Sequence, residues 1–188
     1  MVAFIDMKKL IMWNVITVDG CFEGEKPWDL NFHSSVYGEE LERFSIEQLD
    51  SAEAVIYGSV TYEGMASYWR NETGPVADRV NSMKKYVCSS TLENADWNNT
   101  EILRDAVADI TKLKQEGVGN LFVFGSGKLS NSLMKAGLFD EYRLCIAPMI
   151  LGKGRQLFEE GLPTEKLSLL ESRTLTTGGV LMRYGVTR

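Results

Sequence analysis

The stretch NLFVFGSGKLSNSL, residues 120–133, constrains the fold more than any other. Leu121 to Phe124 is an unbroken apolar run of the kind buried on both faces of a parallel sheet, and it stops at Gly125-Ser126-Gly127. Leu129, Leu133 and Ala136 then recur at helical spacing, with Lys135 near the end and Gly137 placed as a C-cap. The local reading is strand, glycine turn, helix. Glycines admit positive φ and let a ligand approach bare backbone, while unpaired N–H groups and the helix dipole favour an anion. A phosphate-bearing ligand is the natural guest; a tight strand-to-helix turn with no ligand is the bland alternative. Ser130 stands where a dinucleotide fingerprint requires its third glycine, and Leu129 follows Lys128 where a Walker loop has Ser or Thr. The stretch therefore points to phosphate contact without naming the ligand.

The 188 residues, 44% hydrophobic and 24% charged, suit one domain, 1–188, with a sizeable core. A net charge of −6 argues against nucleic-acid or anionic-membrane partners, which need a basic face. Cys21, Cys88 and Cys145 are odd in number and lack CxxC spacing, so reduced thiols in a cytoplasmic protein are expected rather than disulfides or structural zinc. The N-terminus, MVAFIDMKKLIMW, lacks the pattern of a signal peptide, and no run is long enough to span a bilayer. One histidine, His33, leaves no multi-histidine metal site, and no GxSxG elbow supports a hydrolase.

In chain order, residues 8–16 read as a central strand ended by Thr17-Val18-Asp19-Gly20. Strand ends border the ligand crevice of an open α/β sheet, so Asp19 is a candidate for binding or proton handling; an Asp-Gly turn whose carboxylate caps backbone N–H groups is the alternative. Residues 23–35, with Pro27, Trp28 and Phe32, form a loop too aromatic for a solvated linker. Trp28 and Phe32 are candidates for the wall of a flat substrate's pocket, or else anchors pinning the loop, and His33 is a structural histidine by default. A helix capped by Ser34 or Ser35 carries Val36, Leu41, Phe44 and Leu49 inward. The buried strand 54–57 leads through Gly58 to a second helix, capped by Ser59 or Thr61, and so to a second anion-ready N-terminus.

Strand 85–88 ends in the hydroxyls Ser89-Ser90-Thr91, suited to phosphate or ribose, or simply to a turn. After an edge strand at 101–103, Asp105 caps a helix in which Val107, Ile110, Leu113 and Lys114 face the core or snorkel. Beyond Gly137 come a strand at 142–147, a flexible basic loop with Lys153 and Arg155 that holds a substrate phosphate or is merely solvated, and a hairpin of 167–175 with 180–186. The fold class is α/β: a three-layer α/β/α arrangement on a mixed, mostly parallel sheet with a C-terminal antiparallel hairpin.

Three ordered motifs carry a resemblance across nearly the whole chain: Val18-Asp19-Gly20; AEAVIYGSVTYEGM, 52–65; and FGSGKLSNSLMKAGLFDEYRLCIAPMILGKGRQLF, 124–158. They resemble the dihydrofolate-reductase-like superfamily, and most closely the C-terminal reductase domain of the bifunctional riboflavin-biosynthesis deaminase-reductase. The resemblance implies NADPH-dependent reduction of a pyrimidine- or pteridine-like ring, as in 5-amino-6-(5-phosphoribosylamino)uracil reductase. It implies that Gly58, Ser59 and Thr61 meet cofactor phosphates, that Ser89 and Ser90 lie beside the adenosine 2′-phosphate, and that Gly125, Ser126, Gly127, Lys128 and Leu129 receive the pyrophosphate. Asp19, Trp28, Phe32 and His33 are then the substrate-side candidates, with Asp19 as proton donor. Two departures stand out. Ser59 occupies a position where such proteins commonly offer an arginine, leaving NADH open beside NADPH, and His33 stands near where a carboxylate would hold a pterin. No deaminase zinc motif is present. The alternatives are a reductase of another substrate and a non-catalytic nucleotide- or flavin-binding module, which cofactor oxidation by a ring substrate would exclude. The apolar C-terminal strands suggest a homodimer.

Overall fold

The computed structural model describes residues 8–117 and 119–188. The first seven residues, which bear on the signal-peptide expectation, lie outside the described part. An eight-stranded sheet runs in the order β5-β4-β3-β6-β1-β7-β10-β9. Its strands are β1 (Lys9–Thr17), β3 (Ala54–Gly58), β4 (Lys84–Cys88), β5 (Thr100–Leu103), β6 (Asn120–Phe124), β7 (Glu141–Ala147), β9 (Leu167–Thr174) and β10 (Val180–Val186). The pairs from β5 across to β7 are parallel; β10 is antiparallel to both β7 and β9. The mixed sheet with a C-terminal antiparallel hairpin is thus as expected.

The apolar runs sit at the centre because helices cover both faces of it. Leu10, Met12, Ile56, Leu121 and Val123 pack with Ile110 of α4 (Ala106–Gln115) and Leu129 and Leu133 of α5 (Gly127–Lys135). On the other face Ile11, Val55, Tyr57 and Phe122 meet Leu49 of α1 (Glu39–Ser51), Tyr62 and Ala66 of α2 (Ser59–Trp69), and Val80 of α3 (Pro75–Ser82). A separate two-stranded ribbon pairs β2 (Cys21–Glu23) with β8 (Arg155–Gln156), fastening the loop after β1 to the loop after β7. The three cysteines are free.

Local readings that differ have local causes. Ser34 and Ser35 cap no α-helix: their hydroxyls donate back to the carbonyls of Asn31 and Phe32, closing a 3-10 turn at Asn31–Ser35. α1 starts later, at Glu39, where Glu39, Glu40 and Glu42 complement the dipole of its first turn. The N-cap of α2 is Gly58 rather than Ser59 or Thr61, with no side-chain cap. Asp105 does cap α4, accepting from the Ala108 amide at 3.0 Å. Of the α4 residues expected inward, Val107 is exposed, whereas Lys114 is buried and reaches Asp140 at 2.6 Å.

Candidate functional site

Strands β3, β4 and β6 all end at one rim, and β1 runs beside β6; at that rim opens a cleft of about 690 Å³. Two helices start there. α2 follows Gly58 and α5 follows Ser126, and neither has a side chain capping its first amides. The two turns are tied together, since the Gly58 amide donates to Ser126 Oγ at 2.7 Å. Ser126 adopts a left-handed conformation (φ 63°), as does Gly125 (φ 62°). A Cβ on Gly58 would lie 3.3 Å from Ser126 Oγ, and one on Gly125 3.3 Å from Thr61 Cγ2. The floor is thus bare backbone with donors pointing outward, an anion cradle in which larger residues would crowd.

Gly58, Ser59, Thr61, Ser89, Ser90, Gly125, Ser126, Lys128 and Leu129 all line the cleft. Gly127 does not; it begins α5 beneath the Phe22 ring, where a Cβ would come within 2.7 Å of Phe22 Cζ. A residue missed in the sequence, Arg104, lies on the same wall and donates to the Ser89 carbonyl at 3.1 Å. Only the strand pairing of β4 with β5 brings it beside Ser89, so no spacing rule could have found it.

The other end is aromatic and apolar. Trp13 and Phe124 from the strands, Leu41 and Leu49 from α1, and Trp28 and His33 from the covering loop contribute to it. Trp28 holds a left-handed backbone (φ 66°), its amide donating to Glu23 Oε1 at 2.5 Å, and its ring covers Gly64 of α2, where a Cβ would meet the indole at 2.6 Å. Buried Glu23 also pairs with Arg155 at 2.6 Å, so Arg155 reaches the cleft as a neutralised cation, while Lys153 does not line it. Burial lowers His33 to about 4, which leaves it neutral at ordinary pH, and its Nε2 is buried without a partner. Burial likewise pushes the Cys88 thiol on the cleft wall up to about 12, far from a reactive thiolate.

Two substrate-side candidates fall elsewhere. Phe32 is a core residue, packed with Val15, Val36, Leu41 and Phe44. Asp19 is not on the cleft wall; its carboxylate accepts from Thr17 Oγ1 at 2.5 Å and from the Leu151 and Gly152 amides at 3.2 and 2.8 Å. The Thr17 hydroxyl and then the Gly152 amide hold it below the usual carboxylate range, so it is an ionised staple for the 148–152 loop and a poor proton donor. The carboxylate thus caps backbone N–H groups, but those of the loop at Leu151 and Gly152.

The family model of the RibD C-terminal domain matches residues 8–181. The uncharacterised protein YyaP of Bacillus subtilis (strain 168) is 25% identical over 193 aligned positions, covering 96% of each chain. A protein from Shewanella sp. PV-4, provisionally assigned to riboflavin biosynthesis, superposes with a TM-score of 0.81 at 19% identity, over 96% of this chain and 99% of that one. Dihydrofolate reductase from Enterococcus faecalis, solved with NADP(H), gives 0.63 at 13% identity, over 96% and 97%. The fold is dihydrofolate-reductase-like.

Proposed function

The chain belongs to the family of the RibD C-terminal domain, and from that premise we propose that it is an NADPH-dependent reductase of an unsaturated, pyrimidine- or pteridine-like ring. One observation carries the reading: two helix N-termini without side-chain caps open from neighbouring strand ends onto one cleft that turns aromatic at its far end. The residues fit a nicotinamide dinucleotide. The first amides of α5, with Lys128, would hold its pyrophosphate, and the start of α2 would add donors through Ser59 and Thr61. Arg104, beside Ser89 and Ser90, supplies the cation that position 59 lacks, which favours a 2′-phosphate and hence NADPH over NADH.

A bound dihydronicotinamide supplies the reducing equivalents; the protein's part is to hold the ring against Trp13 and Trp28 and keep the pocket dry. The nearby acids are already engaged: Glu23 by Arg155 and the Trp28 amide, Asp19 by Thr17 and the 151–152 backbone. His33 is neutral. The accompanying proton is therefore drawn from water rather than from a carboxyl side chain.

Three of the four tryptophans, Trp13, Trp28 and Trp69, line the cleft, so binding is expected to quench intrinsic fluorescence. Titration should give saturable NADPH binding near the micromolar range with weaker NADH; absence of binding of either at millimolar concentration overturns the reading. Loss of cofactor absorbance with a ring substrate then separates a reductase from a binding module that does no chemistry. We further infer a homodimer formed through β9, which among the described residues pairs only with β10 and exposes Leu167, Leu169 and Leu170.

A further inference from the structure

α1 presents Leu41, Ser45, Gln48 and Leu49 to the cleft, and Gln48 is the most polar of the four. It is 1% exposed, yet its Nε2 has no hydrogen-bond partner among the described residues. A buried amide left unpaired is costly, so an unpaired donor on the wall of a ligand cavity marks the place of a ligand acceptor.

The direction of that amide is set from below. Arg143 of β7 is 8% exposed, donates to Glu141 at 2.7 Å, and lies with its guanidinium 5.0 Å over the Phe122 ring. Its Nη1 is 3.5 Å from Gln48 Oε1, a long contact. A guanidinium offers donors only, so it draws the amide oxygen toward itself and leaves the NH2 group facing away. Glu141 is shared with Arg183 at 2.8 Å, which keeps the buried carboxylate compensated and Arg143 in place.

We propose that Gln48 determines substrate choice by donating from Nε2 to a carbonyl-type acceptor on an uncharged planar ring, with Arg143 as the positioning residue that fixes the amide's direction. The surroundings agree: Trp13, Leu41 and Leu49 bring no charge, and His33 contributes an imidazole to the same cleft. A protonated amidine-type ring would set its N–H groups against the N–H groups of Gln48, and the carboxylate that does line the cleft, Glu23, is already held by Arg155 and the Trp28 amide. This inference rests on the reading of the cleft as a ring-substrate site.

The test is binding of two probes of similar shape, uracil and protonated 2,4-diaminopyrimidine, to the full chain with and without saturating NADPH, followed by NMR titration and by the shift of the Gln48 side-chain amide. Wild type is expected to prefer uracil, with the Gln48 Nε2 resonance moving on binding. Gln48→Glu should shift the uracil-to-diaminopyrimidine preference by at least tenfold toward the cation, as a carboxylate accepts where the amide donated. Gln48→Met, which keeps the volume, should lose uracil affinity without gaining the cation. Arg143→Lys keeps a charge beside Glu141 but gives up the fork, and should lower the preference ratio several-fold while NADPH affinity holds; a merely structural role would weaken both probes alike. An unchanged ratio in Gln48→Glu, or a wild type indifferent to both probes, overturns the proposal. Failure of NADPH alone to bind overturns the cofactor reading and leaves the probe comparison in force.

Discussion

Arg104 and Asp19 show how differently two charged residues near the same rim can act. Arg104→Gln should weaken NADPH about tenfold, some 1.4 kcal/mol for a lost charge-assisted hydrogen bond, and leave NADH unchanged; parallel fluorescence titrations check this. Asp19→Ala should instead release the Leu151 and Gly152 amides to faster hydrogen exchange while cofactor affinity stays as it was. The glycine turns and hydroxyls of the cleft were legible because each lies directly after an apolar strand, where the sequence itself marks a rim. Arg104, Gln48 and Trp13 were not, since their neighbours are set by strand order and by a helix face rather than by spacing. Asp19 stands out by its place at a strand end and Phe32 by its aromatic ring, and neither position nor residue type tells a cleft-facing side chain from one turned into a loop or the core.

At the scale of elements, Lys85 joins three segments. Fully buried on β4, its Nζ donates to the carbonyls of Asn81, Met83 and Asn98 at 3.0, 2.8 and 2.9 Å and sits 4.7 Å over the Trp97 ring. Lys85→Met strands three carbonyls, and urea unfolding should show a loss of about 2–4 kcal/mol. The 3-10 turn at Asn31–Ser35 carries a pH signature through His33. The unfolded chain takes up the proton near pH 6.5, the folded chain only near 4. Stability is thus complete above about 6.5 and falls with decreasing pH toward about 4, by up to about 1.4 kcal/mol per unit. His33→Gln should flatten that decline when unfolding is compared at about pH 7 and about pH 5. Strands β3 and β6 were readable from their apolar runs, and the β9–β10 hairpin from its glycine-rich turn. β2 and β8, three and two residues long, carry no periodicity at all and exist only because the chain brings them side by side.

For the whole molecule, the homodimer inferred above would form through β9. Sedimentation velocity should find a dimer that Leu169→Glu with Leu170→Glu converts to a monomer without loss of secondary structure; a wild type already monomeric at tens of micromolar removes β9 as an interface. The sheet order has a consequence for synthesis. β1 is the first of the described strands to be made, yet among the described residues it pairs only with β6 and β7. While the ribosome produces everything in between, Leu10, Ile11 and Met12 have no sheet to join, although β3, β4 and β5 can already associate with one another. The nascent chain thus carries an unpaired apolar segment until residue 124 has emerged, and exposed apolar surface of that kind favours misassembly for as long as it lasts.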